Sequence, residues 1–232
     1  MVMNFWTSLL DLLSPRRCIG CGQRLVDHEH GLCSSCMMHL PLTNYSRNSS
    51  DNPLARLFWG IFPIERASAF FFYEPHTLSA LLVHHLKYYG RDDIAGQVGQ
   101  LLVNYMKSDG FFEQIDAIIP VPLTAERLQQ RGYNQAEMIA RGISRSTGIP
   151  VRTDVVKRVK YIGSQTRLNA FERRENVEGA FQLLDDSSLE GSHLLLVDDV
   201  ITTGSTICNC ASELARIPGV KISVVALGYA KN

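Results

Sequence analysis

"LLLVDDVITTGST", Leu194 to Thr206, sets four apolar residues, then two acids, then a run of small hydroxylated residues around one glycine. With the preceding "SH" the apolar run reads as a buried strand, and "GSTICNCASELARI" after it as a helix. In an open α/β sheet, ligands bind outside the carboxyl ends of the strands. Asp198 and Asp199 fall at such an end. The first N–H groups of the following helix are free, and its dipole favours an anion. Gly204 permits close backbone approach, while Thr202, Thr203, Ser205 and Thr206 add hydroxyl donors. Carboxylates that accept from sugar hydroxyls, beside a loop that donates to a phosphate, describe a ribose 5-phosphate site. Two other readings compete. The strand resembles that of a P-loop NTPase, but the chain contains no G-x-x-x-x-G-K-[ST]. The Thr and Ser hydroxyls would also serve as plain helix caps, although a cap needs far less than the whole pattern.

Outward from this stretch, strands alternate with helices. "RASAFFFYE", "IDAIIPVPL", "DVVKRVKY" and "KISVVALGYA" read as strands; "HTLSALLVHHLKYY", "DIAGQVGQLLVNYMK" and "NQAEMIARGISRSTG" read as helices, the last closed by Gly148. The alternation predicts an α/β domain with a largely parallel sheet. Ahead of it, "TNYSRNSSDNP" has the chemistry of a linker, which divides the chain into residues 1–51 and 52–232.

The first of these segments carries "CIGC" and "CSSC", so Cys18, Cys21, Cys33 and Cys36 form two CxxC pairs with eleven residues between them. Two residues between thiolates let one turn present both sulfurs to a tetrahedral Zn²⁺, a reading that two pairs favour over a redox CxxC or disulfides. Gly20 and Gly22 permit that turn, and Arg16, Arg17 and Arg24 offset the negative charge of four thiolates on zinc. A Cys₄ set leaves no open coordination position, so this zinc is structural. His28, His30 and His39 are alternative ligands by type but read as exposed. Cys208 and Cys210 stand two apart on a helix, point to different faces and read as small buried residues.

Net charge is zero, yet Arg127 to Arg174 holds eleven Lys/Arg against three Asp/Glu, and Glu175 onward three against eight. The basic middle suits an anionic partner, or is a solvated, salt-bridged surface. The N-terminal "MVMNFWTSLLDLLSP" lacks a basic n-region and a cleavage site, and Asp11 interrupts its apolar run. Phe5, Leu9, Leu12 and Leu13 share a helical face, which reads as an amphipathic helix docked on its own protein, or else on a membrane surface or a partner. No run approaches the ~18 apolar residues of a membrane span. Reduced thiols for zinc point to the cytoplasm.

The full stretch Leu194–Thr206 resembles the phosphoribosyl-pyrophosphate (PRPP) motif of type I phosphoribosyltransferases. "PVPL" followed by "RGYNQA", "HLKYYGR", "QTRLNAFERRENVEGAF" and the four cysteines resemble, more narrowly, the ComF/GntX family. The resemblance implies a type I phosphoribosyltransferase-like parallel sheet with a small N-terminal zinc-ribbon-like module, in a protein of DNA utilisation: use of external DNA in competence or as a nutrient. It assigns Asp198 and Asp199 to the ribose hydroxyls, Thr202, Thr203, Gly204, Ser205 and Thr206 to the 5-phosphate, and Arg131 to pyrophosphate, with Mg²⁺ accompanying PRPP. "YIGSQTRLNAFERREN" takes the place of a flexible loop, with Arg167, Arg173 and Arg174 near phosphate or on an exposed hairpin. Lys87 and Tyr88 match the family without an assigned role, and no residue stands out as a general base. Implied partners are PRPP or a ribose 5-phosphate compound, and single-stranded DNA or DNA-uptake proteins. Two functions follow: a DNA-utilisation protein retaining a PRPP site, or a phosphoribosyltransferase on an unidentified nucleobase-like acceptor, unrelated to DNA uptake.

Overall fold

The structure, a computed structural model, describes residues 16–26, 29, 31–88, 92–159, 179–184 and 188–231. Four parallel strands form the main sheet: β1 (Arg66–Phe72), β2 (Ala117–Pro120), β5 (His193–Ile201) and β6 (Lys221–Tyr229), in the order β1-β6-β5-β2. Two three-residue strands, β3 (Val156–Arg158) and β4 (Phe181–Leu183), pair antiparallel in a separate ribbon. The helices are α1 (Ser34–Met38), α2 (Leu78–Tyr88), α3 (Asp92–Met106), α4 (Ala125–Arg131), α5 (Gln135–Thr147) and α6 (Ser205–Leu214).

Because strand side chains alternate between faces, β5 feeds two cores. Leu195 and Val197 join one cluster with α2, α3 and α5; Leu194 and Leu196 join the other with α6, Phe58 and the β3–β4 ribbon. Cys18, Leu25, Leu32, Cys33 and Leu40 of the cysteine module belong to the first cluster, so the module and the sheet share one core. α5 forms where its caps dictate. Asn134 Oδ1 accepts from the Ala136 N–H at its start, and Gly148, left-handed at φ 78°, closes its end. It crosses α3 at backbone distance: a Cβ on Gly142 would lie 2.1 Å from the Gly96 carbonyl oxygen.

The helices and strands expected between residues 65 and 231 are present, with shorter ends at "DVVKRVKY", "RASAFFFYE" and "IDAIIPVPL". The N-terminal amphipathic helix, His28, His30, Arg167, Arg173 and Arg174 lie outside the described residues. α1, α4 and β4 are additions. The stretch with linker chemistry differs most from expectation. It folds against β1 through a short 3-10 turn, Tyr45–Asn48, and a second turn, Ala55–Leu57, follows just after the segment. Asn52, 5% exposed, holds it there. Its Nδ2 donates to the Asn48 and Ala67 carbonyls at 2.9 Å each, and its Oδ1 accepts from the Leu54 and Ala55 N–H groups at 3.0 Å each.

Asn52→Ala strips these partners from buried backbone groups. It should lower the unfolding free energy by about 3 kcal/mol, seen as a lower urea midpoint at unchanged m-value. A midpoint equal to that of the native protein would remove Asn52 as the anchor of this segment.

Candidate functional site

At the carboxyl end of β5 the chain runs out of buried strand, and Asp198 and Asp199 emerge half-buried. Each folds a carboxylate oxygen back on the next amide: Asp198 Oδ1 accepts from Asp199 N at 2.8 Å, and Asp199 Oδ1 from Val200 N at 2.7 Å. The second oxygen of Asp199 meets Lys87 Nζ at 3.3 Å, across from the last turn of α2. Burial first, and then the neighbouring Asp199 carboxylate, push the Asp198 carboxyl up to about 7, against the pull of the Asp199 N–H, Lys87 and Arg158.

The loop after the acids turns at Gly204, whose φ of 78° only glycine adopts readily. A Cβ there would also stand 3.0 Å from the ring of Phe58, which is fully buried beneath the loop. Gly204 is the N-cap residue of α6 and supplies no side-chain cap. The Thr203 hydroxyl pairs with Ser205 Oγ at 2.9 Å, and lies 3.4 Å from the Ser205 N–H. Apart from this long Thr203 contact to the Ser205 N–H, the start of α6 has no side-chain cap from Gly204, and free N–H groups at a helix start favour an anion. Asp198, Val200 and Thr206 line both the hollow inside this loop and a cleft of about 140 Å³ that also holds Asp199.

Four cations surround the cleft. Besides Lys87 they are Arg131 at the end of α4, Arg127 one turn earlier and Arg158 at the end of β3. Arg131 Nη1 donates to Gln135 Oε1 at 2.9 Å, while Gln135 Nε2 is buried without a protein partner. Arg158 lies 5.3 Å from the centre of the Phe181 ring, and burial pulls its pKa below the ordinary arginine value. The structure therefore brings Asp198, Asp199, Thr206 and Arg131 to one cleft, with Thr202, Thr203, Gly204 and Ser205 around the adjoining hollow. Sequence reasoning missed Arg127 and Arg158 and gave Lys87 no role. Membership of the basic stretch Arg127–Arg174 was the available signal for Arg127 and Arg158.

The cysteine module is a second centre. The four Sγ atoms of Cys18, Cys21, Cys33 and Cys36 all lie within 4.8 Å of one another. Zn–S bonds of about 2.3 Å in a tetrahedron require S···S edges of about 3.8 Å, and Cys21 and Cys33 stand 3.6 Å apart. The Cys33 N–H points at Cys18 Sγ from 3.3 Å and the Cys36 N–H at Cys33 Sγ from 3.4 Å, donors that stabilise thiolates. Burial opposes ionisation of Cys18, but N–H groups of Cys33, Cys21 and Gly20 bring its thiol down to about 7. A Cβ on Gly20 would come within 2.8 Å of Cys36 Sγ and 2.6 Å of Leu78 Cδ1, so glycine is a steric requirement of the knuckle. The residues fit a structural zinc ion. His39 stands apart, exposed and bonded through Nδ1 to the Ser35 carbonyl at 2.7 Å. Cys210 is fully buried in α6 and Cys208 half-buried.

A parallel α/β sheet with paired acids and a glycine loop at its central strand, preceded by a four-cysteine zinc module, is the architecture of a type I phosphoribosyltransferase fold with a zinc ribbon. Residues 92–231 match the family described as "Phosphoribosyl transferase domain", and residues 9–47 the one described as "Double zinc ribbon domain". The chain belongs to the phosphoribosyl transferase domain family, with the zinc ribbon ahead of it, as the ComF/GntX resemblance implied. It is similar to "Competence protein F" of Haemophilus influenzae, 32% identical over 220 residues that cover 88% of this chain and 93% of that one. "DNA utilization protein YhgH" of Escherichia coli O157:H7 is 30% identical over 226 residues, 93% of this chain and 98% of that one. Among solved structures, the allosteric regulatory enzyme of purine biosynthesis aligns with a TM-score of 0.41 and 18% identity, over 61% of this chain and 30% of that one. No helix of the described residues is long and apolar enough to cross a membrane.

Two outcomes are expected. Purified protein should hold about one zinc per chain, and Cys33→Ser should lower zinc content and stability together; a fully loaded variant would count against the ligand set. For Asp198, the folded-state pKa lies above the ordinary aspartate value of 3.8, so the folded protein binds the extra proton. Ligand-free stability should then fall as pH rises from 3.8 to about 7, and level off above. Asp198→Asn should flatten that slope and raise stability at pH 8 by about 1–2 kcal/mol, partial solvent access screening the rest. Thermal melts of both proteins from pH 4 to 8 test this.

Proposed function

We propose that this is a cytoplasmic protein of DNA utilisation that keeps a working PRPP or ribose 5-phosphate site. The names of its relatives support the first part. One observation carries the second: two carboxylates and four cations line one cleft, and the glycine loop at the start of α6 rings the hollow that adjoins it. Asp198 and Asp199 accept from the ribose hydroxyls. The loop Thr202–Thr206 donates to the 5-phosphate, and Arg131 offsets diphosphate charge. Mg²⁺ accompanying PRPP neutralises part of the diphosphate. In a transfer reaction a nucleophile attacks C1, the C1–O bond breaks and diphosphate departs with its electron pair. Positioning and charge stabilisation would supply most of the rate, through an oxocarbenium-like transition state. The basic stretch Arg127–Arg174 supports single-stranded DNA as a partner, through phosphate neutralisation. Zinc ligands that must stay reduced support the cytoplasm.

Calorimetry of the full chain with PRPP and Mg²⁺ should show binding. The double variant Asp198→Asn, Asp199→Asn should lose at least tenfold in affinity while keeping its fold and zinc. Deletion should abolish growth on DNA as sole carbon source, growth on free nucleosides continuing, and the double variant should fail to restore it. Absence of heat at millimolar PRPP with folded protein would sink the site. Unimpaired growth of the deletion on DNA, with pyrophosphate release from PRPP on a base acceptor, would instead establish an ordinary phosphoribosyltransferase.

A further inference from the structure

We propose that Lys87 is a binding residue for the 1-diphosphate of PRPP, supplied from outside the phosphoribosyl transferase domain, and that its ammonium occupies Asp199 until the sugar takes that carboxylate. The inference rests on the reading of the cleft as a PRPP site. Lys87 precedes residue 92, where the domain match begins, yet it lines the cleft and lies 3.3 Å from Asp199 Oδ2. Its backbone is fixed: Leu82 and Leu86 of the same helix are 1% and 0% exposed, and the Tyr133 hydroxyl donates to the Leu86 carbonyl. That bond joins "HLKYYGR" to "RGYNQA", the stretch that also carries Arg131. The side chain, 26% exposed, is aimed at the cleft rather than at open water.

The chemistry of the sugar supplies the rest. Asp199 Oδ2 is an acceptor that a ribose hydroxyl would need, and Lys87 Nζ holds it in the ligand-free arrangement. The ribose 2-hydroxyl and the oxygen leaving C1 sit on adjacent carbons, within a hydrogen-bond length of each other. An ammonium displaced from Asp199 by the hydroxyl is therefore already beside the α-phosphate. A lysine suits this exchange, having three rotatable donors on a flexible stem. The displacement itself sets a specificity. A ligand with a 1-diphosphate recovers the lost ion pair through its phosphate, whereas ribose 5-phosphate breaks the pair and offers nothing in return.

The test compares PRPP with ribose 5-phosphate, both with Mg²⁺, by calorimetry on native protein, Lys87→Met and Lys87→Arg. Lys87→Met should bind PRPP about 10- to 100-fold more weakly, and ribose 5-phosphate as well as native or better. Lys87→Arg should fall between the two for PRPP. Zinc content should match native protein and the variant should stay folded, with a lower unfolding midpoint, since the pair is largely buried at 26% and 15% exposure. Unchanged PRPP affinity in Lys87→Met would make the pair a bystander and overturn the proposal. Equal weakening of both ligands would overturn it too, by reducing Lys87 to a prop for Asp199. Failure of the native protein to bind either ligand would instead remove the PRPP site itself, and the proposal with it.

Discussion

A strand in the interior of a parallel sheet has no position at which a polar side chain can stay wet. β5 lies between β6 and β2, and its residues from His193 to Val197 are buried. Carboxylates can join such a strand where it leaves the sheet, and nearly everything else about this molecule is arranged around that exit. The helices that bury Leu195 and Val197 on one face, and Leu194 and Leu196 on the other, also deliver the groups that meet Asp198 and Asp199. α2 brings Lys87, the junction of α4 and α5 brings Arg131 and Gln135, and the short ribbon brings Arg158. Burial of an acid pair raises the affinity of Asp198 for its proton, which costs stability at neutral pH in the absence of ligand. A site paying that cost is consistent with a ligand that supplies hydroxyl donors.

The zinc module is bound into the same scheme. Its cysteines and leucines complete the core beneath α2, and Gly20 is pressed against Leu78 at the start of that helix. The cysteine knuckle thus packs against the start of α2, whose other end carries Lys87. Five residues from a metal knuckle are too few to form a core of their own, and here they borrow the sheet's.

What the sequence disclosed followed from locality. The acids and the phosphate-type loop are contiguous, so thirteen residues spell out their chemistry. The CxxC pairs work the same way, as do α5 with its Asn134 and Gly148 caps. α4 was not legible because it buries nothing and so shows no apolar period. β4 has three residues, too few for alternation to register. The segment around Asn52 reads as polar, yet a buried amide and scattered backbone bonds to β1, such as Ala67 N–H to the Ser49 carbonyl, hold it without any periodic pattern. Lys87, Arg127 and Arg158 come from three separate elements. Their convergence is a property of topology, and no local pattern encodes it.

β1 and Phe58 both precede the part of the chain that resembles other phosphoribosyltransferases. β1 pairs with β6 along seven residues, and β6 is buried over eight of its nine positions. Similarity to relatives and physical self-sufficiency thus draw different borders. A fragment starting at residue 92 would expose β6 as a long, apolar, unpaired edge, the feature that invites strand addition from other chains. It would also leave the loop at Gly204 without the ring beneath it. Such a fragment would carry the recognisable signature of the family and be prone to aggregate.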